Sequence, residues 1–218
     1  HVNEDDLEGR VCYGGLDLSS TTDITAFVLV FPPMDEDDKF AILPYFWIPE
    51  DTLELRVRRD HVPYDIWERQ GFLQTTEGNV VHYGYIEKFI EQLGERFNIR
   101  EIAFDRWGAV QMVQNLEGME FTVVPFGQGF KDMSPPTKEL MKLTLEQKLA
   151  HGGHPVLRWM MDNIFIRTDP AGNIKADKEK STEKIDGAIA TIIGLDRAIR
   201  CGNMNTESVY DARGILFI

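Results

Sequence analysis

Apolar residues follow two unlike patterns along this chain, and the change from one to the other divides the sequence. Near-continuous apolar runs come first. Residues 10–20, RVCYGGLDLSS, and 24–33, ITAFVLVFPP, read as two strands joined by the polar turn of residues 19–23. Residues 34–39, MDEDDK, are an exposed turn, and residues 40–49, FAILPYFWIP, a third strand ended by prolines. Apolar, β-branched and aromatic runs bounded by turn residues are strand signals, and the short links predict an antiparallel meander. Residues 50–61, EDTLELRVRRDH, have helical spacing, whereas residues 62–82 read as an irregular aromatic wrap over the sheet edge.

Helix and strand patterns then alternate. In residues 83–98 the positions Ile86, Phe89, Ile90 and Leu93 form the stripe of an amphipathic helix. Residues 99–107 form a short buried strand, 108–118 a helix and 120–129 another strand. Residues 135–153 predict a helix opened by prolines and closed by glycines, and 154–163 a second, shorter one. Residues 164–177 predict a hairpin turning at 169–173. Residues 181–200 predict a last helix, capped by Ser181 or Thr182. Three strands followed by this alternation imply an α/β fold: a mixed five-stranded sheet with helices on both faces and an added β-hairpin. Its parallel part comes from right-handed crossovers.

With 218 residues, 43% of them hydrophobic, the chain can bury the core of one domain. No apolar run approaches the ~18 residues that cross a bilayer, and the acidic opening HVNEDDLEGR is no secretory signal. It lacks an initiator Met, so a domain cut from a longer protein is expected, with a cloning remnant at His1. Cys12 and Cys201 have neither metal nor disulfide-framework spacing and read as two buried thiols of a reducing compartment. A net charge of −13 opposes nonspecific nucleic-acid binding, but −9 of it lies in residues 1–60 and only −4 in the other 158.

An aspartate inside an apolar strand is costly without a partner, so Asp17 in GGLDLSS asks for one. Asp105 ends the strand EIAFD, and Asp186 lies in the first turns of the last helix. If the first and fourth strands are neighbours, Asp17 and Asp105 meet near strand carboxyl ends, where α/β sheets place their sites. The last helix could bring Asp186 to them, with Gly187 and Ala188 allowing close approach. Each acid alone is more often a turn or cap residue than a ligand. Together they repel, and divalent cations reverse that cost. All-oxygen ligands favour Mg²⁺ or Mn²⁺. Two such ions about 3.5–4 Å apart can drive phosphodiester hydrolysis. Asp23 is a weaker candidate ligand that shapes the turn.

Lys175, Lys178, Lys180 and Lys184 lie in a stretch that is locally basic for this chain, and with Arg106 they are the candidate DNA-phosphate contacts. A solvated charged loop is the plain alternative. Lys180, Lys184 and Arg106 stand out because they flank the acids. His82, His151 and His154 read as cap and loop residues, Trp107 as a core or interface residue, and Gly127 and Gly129 as a flexible turn.

Five stretches, GGLDLSSTTDITAFVLVF, YFWIPEDTLELR, VPYDIWERQGFLQTTEGNVV, IAFDRWGA and NIKADKEKSTEKIDGAIA, occur in an order that resembles one known family. It is the C-terminal nuclease domain of the large terminase subunit of tailed bacteriophages, and the resemblance extends over nearly the whole chain. It implies a ribonuclease H-like fold, with Asp17, Asp105 and Asp186 as the catalytic, metal-binding acids. It implies metal-dependent cleavage of concatemeric double-stranded viral DNA during packaging, in the cytoplasm of the infected bacterium. The implied partners are that DNA, a packaging ATPase domain of the same full-length chain, the small terminase subunit and the capsid portal. No G-x-x-x-x-G-K-[ST] loop occurs, so ATP hydrolysis is not expected of this part. The expected division is a linker or remnant over 1–10, the nuclease domain over 11–204 and a tail over 205–218. Two other readings remain: a non-catalytic docking module of the packaging motor, and half of an actin-like kinase or ATPase. The latter needs a second copy of the fold, for which the chain has no room.

Overall fold

The central strand is the one whose residues are all buried. In a computed structural model, which describes residues 2–18, 23–105 and 110–203, β1 (Val11–Asp17) pairs antiparallel with β2 (Thr25–Phe31). β2 pairs antiparallel with β3 (Phe40–Pro49). Every residue of β2 is buried, with Ala26, Val28 and Val30 in one apolar cluster and Phe27, Leu29 and Phe31 in the other. A strand covered on both faces has no solvent side to mark with polar residues, which explains the unbroken apolar run.

After β3, α1 (Leu53–Asp60) and α2 (Tyr64–Arg69) precede β4 (Gln74–Thr76), which pairs parallel with the end of β3. The segment expected to be irregular thus holds a helix and a strand, and it does lie along the sheet edge. Then come α3 (Tyr83–Arg96), β5 (Asn98–Asp105), α4 (Val110–Gly118), β6 (Val123–Phe126) and α5 (Phe130–Leu145). β7 (Leu149–Ala150) pairs with the start of β3, followed by α6 (Pro155–Asp162), the hairpin β8 (Ile166–Thr168) and β9 (Ile174–Ala176), and α7 (Asp186–Cys201). The sheet order is β4-β3-β2-β1-β5-β6, with β1, β5 and β6 parallel. The expected five strands form its core, and β4 and β7 extend it along β3. One face is covered by α3 and α4, the other by α5, α6 and α7 with α2. Among the described residues no helix is long and apolar enough to cross a membrane.

Two helix starts differ from expectation. α5 begins at Phe130, so Pro135 and Pro136 sit inside it rather than opening it. They remove the helical donors for the carbonyls of Lys131 and Asp132, a loss offset by the buried stripe Met133, Thr137, Leu140 and Leu143. α7 begins at Asp186, because Ser181 and Thr182 bind elsewhere: Ser181 Oγ donates to the Asp177 carbonyl at 2.6 Å, and Thr182 N donates to the Asn163 carbonyl at 3.2 Å. The turn hydroxyls of residues 19–22, Arg106, Trp107 and the tail of residues 205–218 lie outside the described residues. Cys12 is buried and Cys201 partly so, and both are free thiols.

α7 lies against β1 backbone to backbone. A Cβ built on Gly15 would stand 1.8 Å from the Ala190 carbonyl oxygen, and one on Gly194 3.1 Å from Gly15 N. Gly15→Ala is therefore expected to destabilise the fold by about 3 kcal/mol, since its methyl must push the whole helix off the sheet. Gly84→Ala, with open space at that point of α3, is expected to gain about 0.5 kcal/mol. Urea unfolding of the two variants checks the contrast.

His154 caps α6, its imidazole accepting from Leu157 N at 3.5 Å, with ring centroids 5.4 Å from Phe46 and 5.0 Å from Phe72. Burial, helped by His151, drives its pKa down to about 4. The unfolded chain takes up that proton first, so the neutral ring's contribution is full above pH 6.5 and is lost as pH falls towards 4. Between pH 7 and 4.5 the wild type should lose about 2 kcal/mol more than His154→Asn, which keeps a capping acceptor. Urea midpoints at the two pH values measure it.

Candidate active site

β1 and β5 are parallel neighbours whose ladder runs to Leu16 opposite Phe104, so Asp17 and Asp105 follow side by side at the C-terminal edge of the sheet. Asp186 arrives from the other direction, as the first residue of α7. The glycine contact with β1 sets that helix at its depth. Asp17 and Asp186 are 4% and 2% exposed, and Asp105 is half-buried.

Burial is the largest influence on both deep acids. It raises Asp17 to about 7, with Lys178 pulling down and Asp186 and Asp105 pushing up. Burial likewise raises Asp186, against Lys178 and together with Asp23. These mutual effects place all three acids and Asp23 within electrostatic reach. Asp186 Oδ2 accepts from Ile24 N at 3.4 Å, and its Oδ1 accepts from Lys178 Nζ at 3.1 Å. The same ammonium stands 2.6 Å from Asp17 Oδ2. That contact is an ion pair, and beyond that ammonium Asp17 Oδ2 has no hydrogen-bond partner among the described residues.

The predicted cations divide by role. Lys178 faces the acids. Lys184 Nζ pairs with Asp23 Oδ1 at 2.9 Å. Both lysines line a cleft of about 330 Å³ with Asp23 and Asp186. Lys175 and Lys180 lie over aromatic rings, 5.0 Å from the Phe130 centroid and 5.6 Å from Phe165. Arg106 falls outside the described residues.

Two residues were missed by reading the sequence. Asp177 Oδ1 accepts from the backbone N of Glu179 at 2.9 Å and of Lys180 at 3.2 Å, closing the turn that carries Lys178. Asn163 Nδ2 donates to the Lys184 carbonyl at 3.0 Å, tethering the approach to Asp186. An Asp just after a strand is a recognisable turn signal. Asn163 gave no signal, since its partner lies 21 residues on.

Among the described residues no three His, Cys, Asp or Glu side chains already stand as a ligand group. The donor set nonetheless fits a hard divalent cation. Two buried carboxylates face a single ammonium, and one of their oxygens has no partner but that ammonium among the described residues.

Comparison with known proteins bears on this site. The family model described as "Terminase large subunit, endonuclease domain" matches residues 1–201. The large terminase subunit of Enterobacteria phage HK97 is 40% identical over 191 residues, which is 87% of this chain and 38% of that protein. The chain thus spans about two-fifths of that relative's length. The crystal structure of the HK97 bacteriophage large terminase matches with a TM-score of 0.80 at 39% identity, covering 87% of this chain and 40% of that one. The large terminase nuclease of the thermophilic phage G20c, crystallised with bound magnesium, matches at 0.55 and 12% identity, over 87% and 84%. That last likeness is one of fold, and the shared fold is ribonuclease H-like.

Asp177→Ala should destabilise the chain by about 1–2 kcal/mol, because it orphans two backbone donors under a buried side chain. Asp177→Asn keeps the accepting oxygen and should recover most of that loss, as chemical denaturation will read.

Proposed function

This chain belongs to the family of terminase large subunit endonuclease domains, and from that premise we propose that it is a metal-dependent endodeoxyribonuclease that cuts concatemeric double-stranded DNA during viral genome packaging. The observation that carries the reading is the pairing of two nearly inaccessible carboxylates, Asp17 and Asp186, at the sheet edge that also holds Asp105. Two carboxylates buried at such range repel each other, and a bound cation relieves that cost. The bound magnesium of the G20c nuclease supports a divalent ion here.

In this reading Asp17, Asp105 and Asp186 would together hold two divalent ions, Mg²⁺ or Mn²⁺. When bound, such ions supply positive charge to the attacking and departing oxygens at the phosphorus of a phosphodiester. The chain's own contribution is placement. β1 and β5 fix two carboxylates by their ladder, and α7 fixes the third, so little reorganisation accompanies the reaction. Lys184 and Lys180 meet backbone phosphates beside the acids, and Lys175 does so from the hairpin. Lys178 and Arg106 complete the proposed DNA-facing cations, and Asp23 steadies Lys184 through their ion pair. Among the described residues no element resembles a base-reading helix, so sequence preference should be weak.

The net charge of −13 limits the chain's own grip on DNA. In the proposed setting a packaging ATPase domain of the full-length chain, the small subunit and the portal hold the substrate, in the cytoplasm of the infected host. The domain is proposed to occupy residues 11–204, between a leading linker and a tail.

Plasmid digestion tests this. Nicking and linearisation are expected with Mn²⁺ or Mg²⁺ and none with EDTA. Asp17→Asn and Asp186→Asn should each lower the rate about a hundredfold or more while melting cooperatively. A folded wild type that leaves DNA intact in Mn²⁺, even with the rest of the motor supplied, would instead favour a docking module.

A further inference from the structure

Lys178 sits where a cation belongs. Its ammonium stands 2.6 Å from Asp17 Oδ2 and 3.1 Å from Asp186 Oδ1, joining residues from β1 and from the start of α7. The two carboxylates are almost inaccessible, whereas the lysine side chain keeps 41% of its exposure. The base of the side chain is fixed. Asp177 N donates to the Phe165 carbonyl at 2.9 Å, Asp177 Oδ1 closes the turn, and Ser181 returns to the Asp177 carbonyl. The far end is not enclosed, because it borders the cleft shared with Lys184.

We infer that Lys178 is an internal stand-in cation that holds Asp17 and Asp186 together in the metal-free protein and must leave their oxygens when a divalent ion binds, so that it sets the site's affinity for metal. This rests on the reading of Asp17 and Asp186 as metal ligands. An ammonium and a divalent ion cannot share the same carboxylate oxygens at contact distance, since like charges there repel strongly. One ammonium balances only one of the two carboxylates, so a doubly charged ion is the better counter-charge. The displaced side chain has somewhere to go: its four-carbon stem swings about the fixed turn into the cleft, beside Lys184, where a DNA phosphate would meet it. Lys178 is therefore a positioning residue in the metal-free state and a phosphate contact only after exchange.

Calorimetric titration of Mn²⁺ into chelator-stripped protein tests the exchange, with the Asp17→Asn/Asp186→Asn double variant as the blank. Lys178→Met should bind Mn²⁺ about tenfold tighter than wild type, the order expected for removing one adjacent positive charge. Its metal-free melting temperature should fall and its Mn²⁺-induced rise should grow. Lys178→Arg, which keeps the charge, should restore wild-type behaviour, as a merely space-filling role would not require. A second measurement needs no variant. The acetylation rate of Lys178, followed by mass spectrometry, should increase several-fold when Mn²⁺ replaces EDTA, with exposed lysines as controls. Equal affinity in wild type and Lys178→Met, or an acetylation rate indifferent to Mn²⁺, would overturn the inference and leave the metal site standing. Mn²⁺ binding no stronger than the blank in every variant would overturn the metal reading itself.

Discussion

Everything about the candidate site depends on how closely one helix is allowed to approach one strand. Gly15 of β1 faces Ala190 and Gly194 of α7 with no side chain between the backbones. Interiors packed like crystals transmit such a constraint rigidly. A methyl at Gly15 would move α7, and with it Asp186, away from Asp17. Gly187 repeats the device one turn earlier, where a Cβ would stand 2.6 Å from the Phe46 ring. The small residues are thus part of the electrostatics, because they decide the depth at which the carboxylate of α7 is buried.

That depth creates the conflict the rest of the site resolves. Removing two carboxylates from water costs several kcal/mol each, and the fold balances the cost with one lysine from a turn stapled by Asp177 and Ser181. Burial alone would lower the pKa of Lys178, yet the two acids together raise it above the ordinary lysine value. The lysine thus stays charged and the pair stays held. One positive charge against two negative ones is an arrangement stable enough to fold and still receptive to a stronger cation.

Membership of the terminase nuclease family and the ribonuclease H-like fold agree with this geometry. Much of it was legible beforehand. The stripe Ile86, Phe89, Ile90 and Leu93 marked α3, and the unbroken run through β2 marked a strand covered on both faces. The three acids stood out because a carboxylate among apolar residues conflicts with its surroundings, and such conflicts concentrate at functional positions. The helix starts were less legible. Prolines normally open helices, but the stripe under α5 outweighed two lost hydrogen bonds. Ser181 and Thr182 looked like caps until the partners that claim them, Asp177 and Asn163, came into view.

The sequence by itself determined the five core strands and the amphipathic helices, which residues are apolar enough to form the core, and which acids sit where water should not reach. Those properties are local: they follow from side-chain period, backbone preference and the cost of burying charge. Only the tertiary structure decided that Lys178 rather than Lys184 faces Asp17 and Asp186, and that Asp23 takes Lys184 instead. Lys178 and Lys184 lie six residues apart, as do Asp17 and Asp23, and within each pair the intrinsic chemistry is the same. What separates them is where a turn after β9 points, and that depends on contacts between residues far apart in the chain, which no local pattern encodes.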